Sequence, residues 1–181
     1  VLIDAGHGGT DPGCLVQYSG KTYYEKDFNL AISLKLVDLL KQAGVNAGLL
    51  RNTDETVKLL DRPAIANGMM ADLYVSIHNN SSTSATPGGT EVFYFDKPSE
   101  SGYDLTSKEL ALEVSRSLVA ELGLANRGIT PQGAYAVLNK TLMPAVIVEG
   151  AFFSNAKDLS LMMSSEYTQL YARGVAAGII R

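Results

Sequence analysis

Leu73-Tyr74-Val75-Ser76-Ile77-His78 is the stretch that decides the architecture. It is short, almost wholly apolar and closed by a polar ring, and Ala145-Val146-Ile147-Val148-Glu149 repeats the design. A strand with one face in water alternates apolar and polar residues. A strand apolar on both faces must be covered on both, as in the middle of a parallel sheet. Further strands are expected outward from these two, giving the set Val1–Asp4, Val45–Arg51, Leu73–His78, Gly89–Phe95, Ala134–Asn139 and Ala145–Val148. Helical periods fall between them. Phe28, Ile32, Leu36, Leu39 and Ala43 recur at helical spacing, with Asp27 to cap the start and Gly44 to close the end. Thr106 and Glu109 form a capping-box pattern ahead of a helix over Ser107–Leu122. A last helix covers about 165–180. Another covers Arg62–Ala71, where Pro63 is tolerated only in the first turn, so Asp61 is its expected cap. The expectation is an α/β fold: a mostly parallel six-stranded sheet flanked by helices on both faces, in a single domain.

A chain of 181 residues is about one domain and long enough to bury a core. Its 46% apolar and 19% charged residues are those of an ordinary globule. A net charge of −4 argues against binding a nucleic-acid backbone, which requires a basic patch. No apolar run approaches the roughly 20 residues that span a bilayer. Cys14 is the single cysteine, so no intrachain disulfide forms, and redox compartment stays open. Val1-Leu2-Ile3 is already an apolar run with no leader pattern, so the sequence is silent on export.

Both histidines follow apolar runs. His7 comes after Val1–Ile3 and the turn Asp4-Ala5-Gly6, and His78 ends Leu73–Ile77. Glu149 ends Ala145–Val148 in the same way. Sites in open α/β sheets gather outside the carboxyl ends of strands, so three polar residues are expected to converge on one crevice. Singly, each has a plain structural reading: a hydrogen-bonded histidine, or a glutamate paired in a turn. Jointly they point to chemistry, because an ionised carboxylate beside a buried strand costs several kcal/mol unless it is paired or metal-bound. Two imidazoles and one carboxylate make a common catalytic zinc set with one position left for water. Spacing alone does not choose the carboxylate among Asp4, Asp11, Glu25, Asp27 and Glu149. The polar stretch Asn79–Gly89 follows a buried strand and is expected to form ligand-contacting surface.

The segments Ile3-Asp4-Ala5-Gly6-His7-Gly8-Gly9, Asp11-Pro12-Gly13, Glu25-Lys26-Asp27, Ser76-Ile77-His78-Asn79-Asn80, Met143–Glu149 and Phe153-Ser154-Asn155 resemble the zinc-dependent N-acetylmuramoyl-L-alanine amidases. These are the amidase-3 type, catalytic domains of autolysins and of some phage endolysins. The resemblance runs in order along nearly the whole chain. It implies one zinc ion held by His7, Glu25 and His78, with Glu149 as the catalytic residue, on a twisted sheet flanked by helices. It implies hydrolysis of the amide joining the lactyl group of N-acetylmuramic acid to L-alanine of the peptidoglycan stem peptide. Asn80 is expected to line the groove that holds the stem peptide and glycan. The resemblance further implies a monomeric cell-wall enzyme acting outside the cell, with any wall-anchoring modules separate from this chain. Departures are specific: Ala5 stands where the family commonly has proline, Asn79 where it has alanine, and Gly150-Ala151-Phe152-Phe153 replaces the usual residues after the catalytic glutamate. The autoinhibitory helical insert of some relatives has no counterpart, so an open groove is expected.

Other readings remain to be separated. Ser19-Gly20-Lys21-Thr22 resembles the end of a P-loop but has Leu15 where that motif needs glycine. A carboxypeptidase-type zinc peptidase would need an arginine to grip a terminal carboxylate, with Arg51, Arg62 and Arg127 as candidates. A non-catalytic wall-binding module would bind without cleaving.

Overall fold

The computed structural model describes residues 1–98 and 102–181. In chain order, β1 (Leu2–Ala5) leads through β2 (Leu15–Tyr18) and β3 (Lys21–Tyr24) into α1 (Glu25–Gln42) and the short β4 (Gly48–Leu49). There follow α2 (Asp61–Gly68), β5 (Tyr74–Asn80), β6 (Thr90–Tyr94), α3 (Ser107–Leu122) and β7 (Asn126–Pro131). The chain ends with α4 (Ala136–Asn139), β8 (Ala145–Phe152), α5 (Ala156–Met162) and α6 (Tyr167–Ile180). The main sheet has six strands in the order β4-β1-β5-β8-β6-β7. Strands β4, β1, β5 and β8 are mutually parallel; β6 runs antiparallel to β8, and β7 pairs parallel with β6.

Strand alternation sorts the core into two layers. Ile3, Val75, Ile77, Val146 and Val148 pack with Ile32 and Leu36 of α1, Leu110 and Val114 of α3, and Tyr171 and Val175 of α6. Leu2, Tyr74, Ala145 and Ile147 point the other way, onto Ala66 of α2 and Val137 and Leu138 of α4. Each fully buried Leu or Ile contributes about 1.5–3 kcal/mol, so covering both faces is what stabilises the apolar runs as strands. No helix among the described residues is long and apolar enough to cross a membrane.

The central strands, the capping box at Thr106 and Glu109, and the close of α1 at Gly44 agree with the sequence reading. Four expectations need correction. Ala134–Asn139 is not a strand: Ala136–Asn139 forms α4, and the sixth strand is Asn126–Pro131. That edge strand carries Arg127, Gly128 and Pro131, a composition typical of sheet edges and hard to read as a strand. The Val45–Arg51 expectation shrinks to Gly48–Leu49. Helix α1 starts at Glu25, not after Asp27, and α2 starts at Asp61 with Leu60 before it rather than with Asp61 as cap. The Ser19-Gly20 pair forms a hairpin turn between β2 and β3, both residues at positive φ, which accounts for the false P-loop pattern.

Candidate metal centre

The first turn of α1 delivers Glu25 into the mouth of the sheet. Its unpaired helix-start amides are satisfied by the preceding loop: Glu25 N–H donates to the Cys14 carbonyl at 2.8 Å and Lys26 N–H to that of Pro12 at 3.2 Å. His78 sits on β5, whose carboxyl end continues to Asn80, and Glu149 is its register partner on β8. His7 lies just past β1 in a turn that gives it a left-handed φ of 61°. A non-glycine residue pays a conformational penalty there, and two buried arginines hold the turn against it. Arg62 donates to the His7 carbonyl at 2.8 Å, while Arg51 donates to those of Ala5 at 2.8 Å and Gly6 at 3.0 Å.

These elements bring one donor atom each from His7, Glu25 and His78 within 4.8 Å of one another. Glu25 Oε1 lies 3.2 Å from His7 Nε2 and 3.0 Å from His78 Nδ1. Burial acts to raise the Glu25 carboxyl, but hydrogen bonds and charge from the two imidazoles outweigh it and hold the group well below the usual carboxylate range. Burial likewise opposes the charge on His7, yet Glu25 and Asp11 raise its proton affinity overall. Asp11 Oδ2 lies 2.8 Å from His7 Nδ1 on the far side of the ring, leaving Nε2 to face Glu25. Asp11 therefore orients a histidine rather than joining the cluster.

Of the remaining carboxylates, Asp4 is buried and bonded to Arg62, Tyr74 and Ser76, and Asp27 is exposed on α1. Glu149 stands beside the cluster without joining it. Its Oε2 is buried and has no hydrogen-bond partner among the described residues. Burial first, then the charges of Glu25 and Glu91, push its carboxyl well above the usual range.

A divalent cation fits this arrangement on three grounds. Two imidazole nitrogens and a carboxylate oxygen are a zinc-type donor set. An orphaned carboxylate oxygen waits at its side. The chain also leaves room only for these rings: a Cβ on Gly6 would sit 2.2 Å from His78 Nε2, and one on Gly13 would sit 2.6 Å from Glu25 Oε2 and His7 Cδ2. Cys14 is not in the cluster, and burial, followed by the charge of Glu25, pushes its thiol up to about 12, so it offers no thiolate.

Two open lobes of one groove, of about 420 and 410 Å³, meet at His7, Asp11, His78 and Glu149. The first lobe is walled by Val57, Leu59, Tyr135, Val137 and Ile147; the second is lined by Gly13, Cys14, Asn80 and Ser81. Asn80 thus lies at the groove. Ser81 lines it too, and Ser154 and Asn155 bind the backbone of the loop beyond at residues 82, 85 and 86.

A family model described as N-acetylmuramoyl-L-alanine amidase matches residues 1–181. The chain belongs to this amidase family. It is 33% identical to the N-acetylmuramoyl-L-alanine amidase LytC of Bacillus subtilis, covering 99% of this chain and 34% of LytC. It is 38% identical to the uncharacterized protein YqiI of the same organism, covering 99% of this chain and 82% of YqiI. Among solved structures, the catalytic domain of the amidase CwlV from Bacillus (Paenibacillus) polymyxa var. colistinus superposes with a TM-score of 0.86 at 37% identity, covering 98% of this chain and 94% of that one. An amidase from Clostridium difficile 630 gives 0.87 at 34% identity, covering 99% and 93%. Local packing requires the glycine that follows Glu149. A Cβ on Gly150 would meet the Tyr171 ring at 2.2 Å, and Tyr171 O–H bonds the carbonyls of His78 and Val148. Gly150 thereby lets α6 tie together the two strands that carry His78 and Glu149.

Proposed function

We propose that this amidase domain is a zinc-dependent peptidoglycan hydrolase that cleaves the amide between the lactyl group of N-acetylmuramic acid and L-alanine of the stem peptide, acting at the cell wall outside the membrane. The observation that carries the reading is the clustering of His7, Glu25 and His78 beside Glu149 Oε2, unpartnered among the described residues, where two lobes of a groove meet. His7, Glu25 and His78 would hold one zinc ion, which when bound supplies Lewis acidity toward a carbonyl oxygen and makes water acidic enough to react near neutral pH. Glu149 Oε2 takes the proton from the attacking water and passes it to the departing alanine nitrogen, which cannot leave as an anion. Asn80 lines the second lobe, where it binds the glycan–peptide junction.

The carboxypeptidase reading loses its support. Arg51 is committed to backbone carbonyls, Arg62 to Asp4 and to carbonyls, and Arg127 to Glu91 over the Phe152 ring. The test is mass spectrometry of purified peptidoglycan digested with the zinc-loaded protein. Intact glycan and free peptides beginning with L-alanine are expected, and Glu149→Ala abolishes them while retaining zinc. Release of terminal D-alanine alone, or binding without cleavage, overturns the proposal.

A further inference from the structure

Behind the candidate metal centre lies a chain of buried polar groups with no part in the chemistry above. Tyr167 O–H, on the first residue of α6, donates to Asn79 Oδ1. Asn79 Nδ2 donates to Asn29 Oδ1 at 3.0 Å, and Asn29 Nδ2 donates to Glu25 Oε1 at 3.2 Å and to the Gly6 carbonyl at 3.2 Å. Asn79 N–H donates to the same Glu25 oxygen at 3.2 Å. Asn29, Asn79 and Tyr167 are each fully or almost fully buried.

The direction of this chain is forced. The Gly6 carbonyl and the Glu25 carboxylate can only accept, so the Asn29 amide must turn its nitrogen toward them. Its oxygen then faces Asn79 and needs a donor, which fixes the Asn79 amide, and the Asn79 oxygen needs a donor in turn, which Tyr167 provides. Each link removes an alternative orientation of the link before it. Three elements are joined in this way: α1, which carries Glu25; β5, which carries His78 next to Asn79; and α6.

Resting on the zinc reading above, we infer that Asn79 and Tyr167 are positioning residues for Glu25: they lock the Asn29 amide so that Glu25 Oε1 stays aimed between His7 and His78. The Asn79 amide thereby makes the metal cluster rigid before the ion arrives. Partners that orient a metal ligand typically change affinity by 10–100-fold when removed.

The test measures zinc affinity by competition with a chromophoric chelator, together with the melting temperature of the metal-free protein. Asn79→Ala weakens zinc binding about tenfold, and Tyr167→Phe, which keeps the ring packing and deletes one oxygen, weakens it severalfold. Val114→Ala, in α3 and remote from the relay, lowers the melting temperature and leaves zinc affinity unchanged. Cobalt-loaded Asn79→Ala shows an altered visible spectrum. Wild-type zinc affinity in both relay variants overturns the inference, as does an equal loss in Val114→Ala. Should Asn79→Ala not fold, Tyr167→Phe alone decides. Failure of the wild-type protein to bind zinc would instead sink the proposed function, so the two failures are distinguishable.

Discussion

Gly6→Ala isolates the geometry of the candidate metal centre in one methyl group. Gly6 has no positive φ, so alanine fits its backbone without strain, and the only cost is what the new Cβ meets. It meets the His78 ring, with Cε1 and Nε2 both at 2.2 Å. Ordinary contact begins at 3.4 Å, so the ring must retreat by roughly 1.2 Å. Zinc–nitrogen distances tolerate only about 0.2 Å. The displacement is several times larger than the site can absorb. The His78 side chain is 19% exposed, so the ring can swing toward the groove and the metal-free protein still folds. Zinc affinity is expected to fall by at least about 100-fold. A ligand at 100 times its Kd stabilises by about 2.7 kcal/mol, whereas a site weakened 100-fold gains about 0.4 kcal/mol from the same zinc concentration, so about 2.3 kcal/mol is lost in the variant. Isothermal titration with zinc, and melting temperatures with and without zinc, read both quantities. Wild-type zinc affinity in Gly6→Ala would refute the placement of His78.

Two further outcomes test other parts of the structure. A carboxyl whose folded pKa is raised binds more protons folded than unfolded; the stability Glu149 contributes is therefore fully present below its unfolded pKa near ~4.3 and is lost as pH climbs toward the folded value. Metal-free protein should accordingly become less stable to urea as pH rises through that window, with a smaller slope in Glu149→Gln; equal slopes would contradict it. Thr106→Ala removes the side-chain acceptor of the Glu109 amide at the start of α3 and should cost about 1 kcal/mol, a fall of ~2–4 °C in melting temperature. No change in melting temperature would show that the capping box is not formed in solution.

The two central strands and the main helices were legible because their signals are local. Val75 and Ile77 against Tyr74, or Val146 and Val148 against Ala145 and Ile147, report burial on both faces through composition alone. Thr106 and Glu109 report a helix start through spacing. The edge strand Asn126–Pro131 was not legible, since among the described residues it pairs only with β6 and it carries the glycine and proline that ordinarily mark loops. Helix α4 was read as a strand because its short apolar run has no length to reveal a period. Its misreading also hid Tyr135, just before it, which walls the first lobe of the groove.

His7, His78 and Glu149 at the ends of apolar runs were enough to gather three polar side chains at the carboxyl ends of the central strands. Spacing could not choose among five carboxylates, because the choice depends on how the chain returns from the hairpin to the first turn of α1. Nor could it show that Asp11 serves a histidine, that two arginines hold a strained turn, or that Asn29, Asn79 and Tyr167 meet behind Glu25. Apart from the His7–Asp11 pair, four residues apart, those facts depend on directions between groups 45 to 88 residues apart. A sequence records which groups exist and their local periods; only packing in three dimensions decides which lone pair faces which proton.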